Sequence, residues 1–180
     1  MQVDYDKMIA FHGHSCPGLA MGYRMTSAAM NYLSQHRSED EELVAITENN
    51  ACGVDALQFI SGCTFGKGNL IFKDYGKQVF TFYARKTGLG VRVALSQAAI
   101  PAALRADRPA FIEWLLNADE AEIVSVVPVI IKEPEKARVM ASVVCENCGE
   151  AVMESRICAQ KGKNICIPCS MKSAKSDQVS

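Results

Sequence analysis

Four cysteines near the carboxyl end form two C-x2-C pairs, a pattern whose chemistry is metal binding. The pairs are separated by 17 residues, and their members are Cys145, Cys148, Cys166 and Cys169. Two such knuckles facing each other complete the tetrahedral four-sulfur shell of a structural zinc. Two redox-active dithiols or a chance arrangement are the alternatives, but paired motifs are far more specific than a lone C-x2-C, so the spacing favours zinc. Cys158 lies between the pairs and is predicted to be a small apolar residue, because four sulfurs already fill the shell.

A second group of ligand-type residues lies near the amino end at spacings of two: His12, His14 and Cys16. In an extended segment alternate residues share one face, so we expect these side chains to point the same way. Pro17 disfavours helix at Cys16 and suits the first position of a following helix. Cys16 would then lie at a helix amino terminus, where the dipole stabilises a thiolate. The pattern is typical of a metal site or an activated nucleophile, and further thiols nearby favour the metal.

Three more residues are candidates for this site. Cys52 and Asp55 lie at the start of a second predicted helix, and Cys63 follows its end. If the two helices pack side by side, all three face the histidine segment. We therefore predict that His14, Cys16, Cys52 and Cys63 approach one another, with His12 and Asp55 as alternate or outer partners. Burial of the thiols as ordinary core residues is the competing interpretation.

These ligands determine which metals and which reactions are plausible. Thiolate and imidazole suit zinc, nickel, copper or iron and disfavour magnesium and calcium, and we expect zinc, nickel or iron in the core. Without a metal, Cys16 would be a nucleophile, His12 or His14 its base, and Asp55 the orienting carboxylate. The segment that follows contains Gly66, Lys67 and Gly68, a glycine-flanked lysine suited to cradling an anion through backbone N–H groups. It lacks the P-loop pattern, so nucleotide binding is not indicated.

Hydrophobic periodicity predicts the elements that must position these residues. Helices are expected up to Phe11, over Leu19–His36, over Val54–Ser61 with Gly62 closing it, and over 109–117. Strands are expected at 43–47, 69–72, 77–84, 90–96 and 126–131. The turn at 74–77 predicts an antiparallel meander. The sequence therefore predicts an α+β core with a mainly antiparallel sheet over residues 1–138, followed by a four-cysteine zinc finger of treble-clef or ribbon type over 139–180.

Composition excludes several classes of protein. The 180 residues are 49% hydrophobic and 22% charged with a formal net charge of -1, which argues against disorder and against bulk attraction to nucleic acid or membranes. Residues 145–180 carry five basic and four acidic side chains, so the finger lacks the electrostatic footprint of a nucleic-acid binder. No apolar stretch is long enough to span a bilayer, and the amino end does not resemble a signal peptide. We expect a cytoplasmic protein with reduced thiols.

The segment His12–Arg24, HGHSCPGLAMGYR, resembles the signature of the formylmethanofuran dehydrogenase E-subunit family. Cys52–Gln58 and Gly62–Leu70 are similar to two later motifs of that family, and the resemblance covers essentially the whole chain. It implies an α+β core, an auxiliary treble-clef finger, a homodimer, and a site at His14, Cys16, Cys52 and Cys63. The family takes its name from operons for a molybdenum or tungsten dehydrogenase, although members also occur in bacteria that make no methane.

Two functions follow as expectations. One is a metal-dependent protein in one-carbon or molybdenum/tungsten enzyme metabolism, with zinc in the finger and a second transition metal in the core; its catalytic residues would be Cys16, His14 and Asp55. The other is a non-enzymatic accessory protein that binds or delivers metal and docks onto a larger redox enzyme. A homodimer is also expected because the predicted helix Leu19–Tyr32 carries only one charge, Arg24, and a helix apolar nearly all round needs cover on several sides.

Overall fold

The computed structural model describes residues 5–160 and 162–176. The chain divides into two compact units, 1–137 and 138–180, one residue before the boundary expected from the sequence. Among the described residues, no helix is both long and apolar enough to cross a membrane. Each unit is described by itself below.

The first unit combines helices with one sheet. Its helices are α1 (Tyr5–His12), α2 (Pro17–Leu33), α3 (Gly53–Ser61), α4 (Arg108–Asn117) and α5 (Glu120–Ile123). Its strands are β1 (Leu43–Thr47), β2 (Leu70–Phe72), β3 (Val79–Ala84), β4 (Leu89–Leu95) and β5 (Val124–Val129). Two short 3₁₀ turns, 97–99 and 102–106, precede α4. The predicted α+β class with a mainly antiparallel sheet is confirmed.

The strand order is β2-β1-β3-β4-β5, with β2 parallel to β1 and every other pair antiparallel. The expected meander from β2 into β3 is therefore wrong. Residues between them pass around the end of β1, because the backbone N–H groups of Tyr75 and Lys77 both donate to Glu48 O. Asn49 holds the returning chain by donating from Nδ2 to Lys77 O at 2.6 Å. The turn thus connects strands on opposite sides of β1.

Helix α2 is the centre of the first unit, and its own chain covers it. It packs against α3, α4 and the sheet, and most of its apolar side chains are buried. Its one charged residue, Arg24, donates to three carbonyl oxygens at the end of α4, those of Leu115, Leu116 and Ala118, at 2.7–2.9 Å. These bonds satisfy groups that the last turn of a helix leaves open. The apolar character of α2 is thus explained within one chain and does not itself require an interface between subunits.

Helices α2 and α3 cross at a glycine contact. A Cβ added to Gly22 would lie only 2.3 Å from Gly53 O, so the two backbones touch directly. Helix α3 ends at Ser61, and the capping residue Gly62 adopts the left-handed conformation that glycine favours, with φ 72°. Because the crossing lies near the amino ends of both helices, it also places Cys16 and Cys52, the residues that precede α2 and α3, close together.

The second unit consists of two hairpins and a helix. Strands β6 (Ser142–Val144) and β7 (Ala151–Met153) form the first hairpin, β8 (Ile157–Gln160) and β9 (Lys163–Cys166) the second, and α6 (Ile167–Ser176) follows. Its buried cluster consists of three cysteines and one isoleucine, Cys145, Ile165, Cys166 and Cys169. A cluster this small cannot supply a hydrophobic core of ordinary strength.

Candidate metal centres

The four finger cysteines meet at one point. Their sulfur atoms all lie within 4.8 Å of one another, and the Sγ atoms of Cys148 and Cys166 are 3.9 Å apart. Two thiolates at 2.3 Å from a tetrahedral zinc are about 3.8 Å apart, so the spacing matches a zinc shell. The predicted four-cysteine cluster is confirmed, and Cys158 on β8 lies outside it.

Backbone hydrogen bonds prepare the first knuckle for a metal. Gly149 N–H donates to Cys145 O at 2.9 Å, and a φ of 76° at Gly149 lets the chain turn. The N–H groups of Cys148 and Cys166 point at the Cys145 sulfur and lower the pKa of its thiol to about 6. A lowered pKa favours the thiolate, which is the form that binds zinc. Glu146 joins the two knuckles, since its N–H donates to Asn164 O and its carboxylate accepts from Asn164 N–H.

Cys16 is fixed at the amino end of α2. It adopts an extended conformation, with φ -151° and ψ 160°, and its Sγ accepts a hydrogen bond from Leu19 N–H at 3.3 Å. The predicted position of Cys16 before a helix that begins at Pro17 is confirmed. Its side chain is buried, with only 2% of the residue exposed. The helix terminus therefore holds the sulfur in one place.

The two histidines lie close to Cys16, but the backbone conformation that brings them there differs from the expected one. His12 is the last residue of α1, and Gly13 turns the chain with φ 97°, so the segment is not extended throughout. The imidazole rings of His12 and His14 nevertheless lie with centroids 4.5 Å apart. The ligand atoms of His12, His14 and Cys16 all lie within 4.8 Å of one another. A helix end and a turn produce the convergence that the alternation suggested.

Asp55 orients His12. The Nδ1 atom of His12 lies 2.6 Å from Asp55 Oδ2, which leaves Nε2 facing Cys16 Sγ at 3.8 Å. Helix α3 carries Asp55 in its first turn, where a carboxylate is favoured by the helix dipole. A histidine whose second nitrogen is held by a carboxylate is the usual arrangement at metal sites. Asp55 thus fits the outer role that the sequence suggested for it.

The donor set of this group fits a transition metal. An imidazole nitrogen and a thiolate bound to a tetrahedral zinc, at about 2.0–2.1 and 2.3 Å, lie about 3.6 Å apart. The observed 3.8 Å between His12 Nε2 and Cys16 Sγ is close to this value. Three protein ligands also leave a coordination position for water or a substrate, as catalytic zinc sites do.

The other two core cysteines are placed differently. Cys52 borders Cys16 but is not a member of the three-residue group. Cys63 is fully buried, and its thiol donates to Leu43 O at 3.3 Å, so the structure does not bring it to the histidines as the sequence suggested. Burial raises the pKa of Cys63 to about 11. Cys63 is therefore a protonated core residue, the competing interpretation for a buried thiol.

The two units of the chain match two different family models. Residues 11–137 match the family model described as FmdE, molybdenum formylmethanofuran dehydrogenase operon. The chain belongs to the FmdE family. Residues 141–173 match a second model, the prokaryotic dksA/traR C4-type zinc finger. The family domain thus contains the His/Cys group, and the second match contains all four finger cysteines.

Individual proteins are also similar to this FmdE-family chain. An FmdE-like protein of the tungsten formylmethanofuran dehydrogenase type from Syntrophus aciditrophicus superimposes with a TM-score of 0.70 at 28% identity, covering 94% of this chain and 91% of that one. A probable S-adenosyl-L-methionine-binding protein from Archaeoglobus fulgidus is 29% identical over 88% of this chain. The chain spans about half, 50%, of the length of that curated relative.

The glycine-flanked lysine of the FmdE-family chain is hydrogen-bonded to backbone carbonyl groups. The Lys67 ammonium donates to the backbone oxygens of Ser38 and Glu39, each at 3.2 Å. Asn69 donates to Asp40 O and Leu43 O from the same loop. The loop thus anchors the segment that enters β1, and anion binding at Gly66, Lys67 and Gly68 stays a prediction.

Tyr5 is a neighbour of the metal group that the sequence did not reveal. Burial raises the pKa of its phenol, which lies beside Ser15 and Cys16, and its ring meets Tyr23 edge to face at 5.5 Å. Tyr5 belongs to none of the motifs, and only its place on α1, seven residues before His12, brings it to the site. The one available signal is helical spacing, since residues seven apart share a helix face.

Proposed function

We propose that this protein holds two metal ions, a structural zinc in the finger and a single transition metal in the core at His12, His14 and Cys16. We further propose that the core ion keeps a position open for a small ligand and serves one-carbon or molybdenum/tungsten enzyme metabolism. The observation that supports this is the convergence of three soft donor atoms within 4.8 Å, one of them held by Asp55. Family membership supports the metabolic setting.

The protein's own groups would prepare the core site in three ways. Asp55 Oδ2 accepts a hydrogen bond from Nδ1 of His12, so Nε2 of the same ring faces Cys16. Leu19 N–H donates to Cys16 Sγ and so fixes the position of the sulfur. His14 is exposed and therefore lies on the side open to solvent, from which a ligand would enter. A bound zinc, nickel or iron would supply Lewis acidity at the open position.

The same residues suggest a metal-free alternative, because Asp55, His12 and Cys16 form a line resembling a Cys-His-Asp triad. In that interpretation His12 would take the proton of a nucleophilic Cys16. The 3.8 Å from Nε2 to Sγ is longer than the roughly 3.2 Å of a formed nucleophile–base pair. The triad also gives His14 no part, whereas the metal site uses all three donors. We therefore prefer the metal.

Assembly is the third part of the proposal. A homodimer follows from the family resemblance, and docking onto a larger redox enzyme would make the protein an accessory one. We also propose that the finger is a treble clef, which the order of knuckle, hairpin, second knuckle and helix supports. Sedimentation at micromolar concentration tests the dimer, and a monomer alone would contradict it.

Elemental analysis of the purified full chain tests the core metal. The wild type should carry about two ions per chain, and His14→Ala and Cys148→Ser about one each, because each variant removes one ligand from one site. His36→Ala is the matched control, since His36 is the remaining histidine and is exposed. A wild type with one ion, or a His14→Ala variant that keeps two, would contradict the proposal.

A second variant tests the role of Asp55 without touching a ligand. Asp55→Asn should weaken core metal binding by about 10–100-fold, because the amide no longer holds His12 as a carboxylate does. The finger zinc should be unaffected. Asp74→Asn, at an exposed turn position, is the control. Metal affinities from competition with a chelator give the comparison, and equal core affinities in the two variants would argue against an orienting role.

A further inference from the structure

Two cysteines border the same small space at the crossing of α2 and α3. Cys16 precedes α2 and Cys52 precedes α3, and Gly18 lies between them. A Cβ added at Gly18 would lie 3.8 Å from each of the two sulfur atoms and 3.1 Å from Cys52 Cβ. Glycine therefore leaves the space between the thiols unfilled by a side chain, and the two sulfurs face the same point.

The two thiols differ in how firmly they are held. Cys16 Sγ accepts the capping hydrogen bond of α2, whereas Cys52 makes no side-chain capping bond to α3. Cys52 is also half-buried, while Cys16 is almost fully buried. Turning the Cys52 side chain towards Cys16 therefore sacrifices no helix cap. Of the pair, Cys52 is the more accessible to solvent and the less constrained.

We propose that Cys16 and Cys52 are a reversible oxidation site, in which a peroxide converts the pair to a disulfide and takes the Cys16 sulfur away from His12 and His14. Disulfides that form in reducing compartments are usually transient and redox-sensing. The consequence for metal binding rests on the proposed core metal site, but the disulfide itself rests only on the juxtaposition of the two thiols.

The chemistry balances with a peroxide as the oxidant. In the first step the sulfur of Cys52, the more accessible thiol, attacks one peroxide oxygen, an S–O bond forms, the O–O bond breaks and one water leaves. In the second step the Cys16 sulfur attacks the Cys52 sulfur, an S–S bond forms, the S–O bond breaks, and the hydroxyl leaves as water with the Cys16 proton. In sum, two thiols and one hydrogen peroxide give one disulfide and two waters, and two electrons pass from sulfur to oxygen.

The remaining core cysteine is a suitable negative control. Cys63 is fully buried, and its thiol is engaged with Leu43 O, 3.3 Å away. It lies at the opposite end of α3 from Cys52, because α3 spans Gly53–Ser61. It should therefore not pair with Cys16.

Peptide mapping of the full chain after hydrogen peroxide treatment tests the pair. Trypsin should place Cys16 in the peptide 8–24, and Cys52 together with Cys63 in the peptide 38–67. We expect these two peptides to be cross-linked in the wild type and in Cys63→Ala, and released by dithiothreitol. The cross-link should be absent from Cys52→Ala and from Cys52→Ser. Two variants are used so that misfolding of one of them does not decide the result. A cross-link that survives in both Cys52 variants, or over-oxidised Cys16 with no cross-link in the wild type, would overturn the proposal.

Metal counts taken on the same samples separate this proposal from the proposed function. In the reduced state Cys52→Ala should hold as many ions as the wild type, and after peroxide it should retain a core ion that the wild type loses. Loss of the core ion from reduced Cys52→Ala would make Cys52 a ligand and overturn its assignment as a redox partner. A reduced wild type with no core ion would refute the core metal site alone, since the cross-link would still report the thiol pair.

Discussion

The finger and the core site differ in where their cysteines lie relative to the buried centre of each unit. In the finger, three of the four ligand cysteines and one isoleucine form the buried centre, and little else is buried among the unit's described residues. In the core, one sulfur joins two imidazoles at the edge of a large apolar cluster that includes whole helices and strands. The finger is therefore built around its metal, whereas the core is built by packing and carries its site at the meeting of helix ends.

This difference determines what each site can do. A shell of four thiolates is complete, so the finger has no position left for a substrate. The core group has three donors, one of them exposed, and an outer carboxylate that orients another. A rigid scaffold that folds without the ion can hold an incomplete shell, and an incomplete shell is what reactivity requires.

The largest expected effect is the loss of the finger fold in Cys148→Ser. Zinc binding supplies about 10–16 kcal/mol of apparent free energy to fingers of this kind, and a cluster of one isoleucine and three cysteines cannot replace it. The variant should lose one zinc per chain, and residues 145–172 should become sensitive to protease. The core should unfold at the wild-type temperature when followed by the fluorescence of Trp114, the chain's one tryptophan, on α4.

Cys158→Ser is the matched control for that experiment. Cys158 lies on β8 between the knuckles and outside the ligand group, so this variant should keep its zinc and its protease resistance. If Cys148→Ser kept both properties, or if it also lowered the unfolding temperature of the core, the contrast between a metal-built finger and a packed core would fail.

A smaller effect, confined to the core, is expected for Gly22→Ala. The added Cβ would lie 2.3 Å from Gly53 O, so α2 and α3 must move apart. Overpacking of this kind costs about 1–3 kcal/mol, and each kcal/mol lowers the melting temperature of a domain of this size by roughly 2–4 °C. Gly66→Ala is the control, because a Cβ there meets nothing within 4 Å.

The position of Gly22 extends the prediction from stability to the site. Moving α3 also moves Asp55 relative to His12, so Gly22→Ala should weaken core metal binding while finger zinc stays at one per chain. Thermal unfolding followed by Trp114 fluorescence and metal counts on the same samples provide the test. A variant as stable as Gly66→Ala would show that the helices do not depend on the glycine contact.

The finger could be predicted from sequence because its ligands are local. Two C-x2-C pairs fix their own turns, and nothing distant is needed to bring the sulfurs together. The core group was predictable only in part. The alternation of His12, His14 and Cys16 pointed to the right residues, but their convergence depends on where α1 ends. Cys63 could not be separated from the ligands by sequence, because its hydrogen bond to Leu43 O is a contact between distant elements.

The sheet shows the same limit. Strand positions followed from hydrophobic runs, and β1 to β5 lie close to where periodicity placed them. The pairing of β2 with β1 did not follow, since a turn at 74–77 between two strand-like segments normally predicts a hairpin. In the structure the returning chain is held by Glu48 O, which accepts hydrogen bonds from two of its backbone N–H groups. A contact between residues so far apart in the sequence cannot be recognised from the local sequence pattern.

The smallest expected effect concerns Cys63, which sharpens the contrast between finger and core thiols. Burial raises its pKa from the ordinary 9.0 to about 11, so between these values the unfolded chain loses the proton that the folded chain keeps. The contribution of Cys63 to the free energy of unfolding is therefore fully present below pH 9. It is lost as pH rises towards 11, by about 2–3 kcal/mol in all. Cys63→Ala lacks the group, so its unfolding free energy should fall less steeply across this window. Urea unfolding followed by Trp114 fluorescence from pH 8 to 11 measures both slopes, and parallel slopes would mean that Cys63 ionises in the folded core as readily as in the unfolded chain.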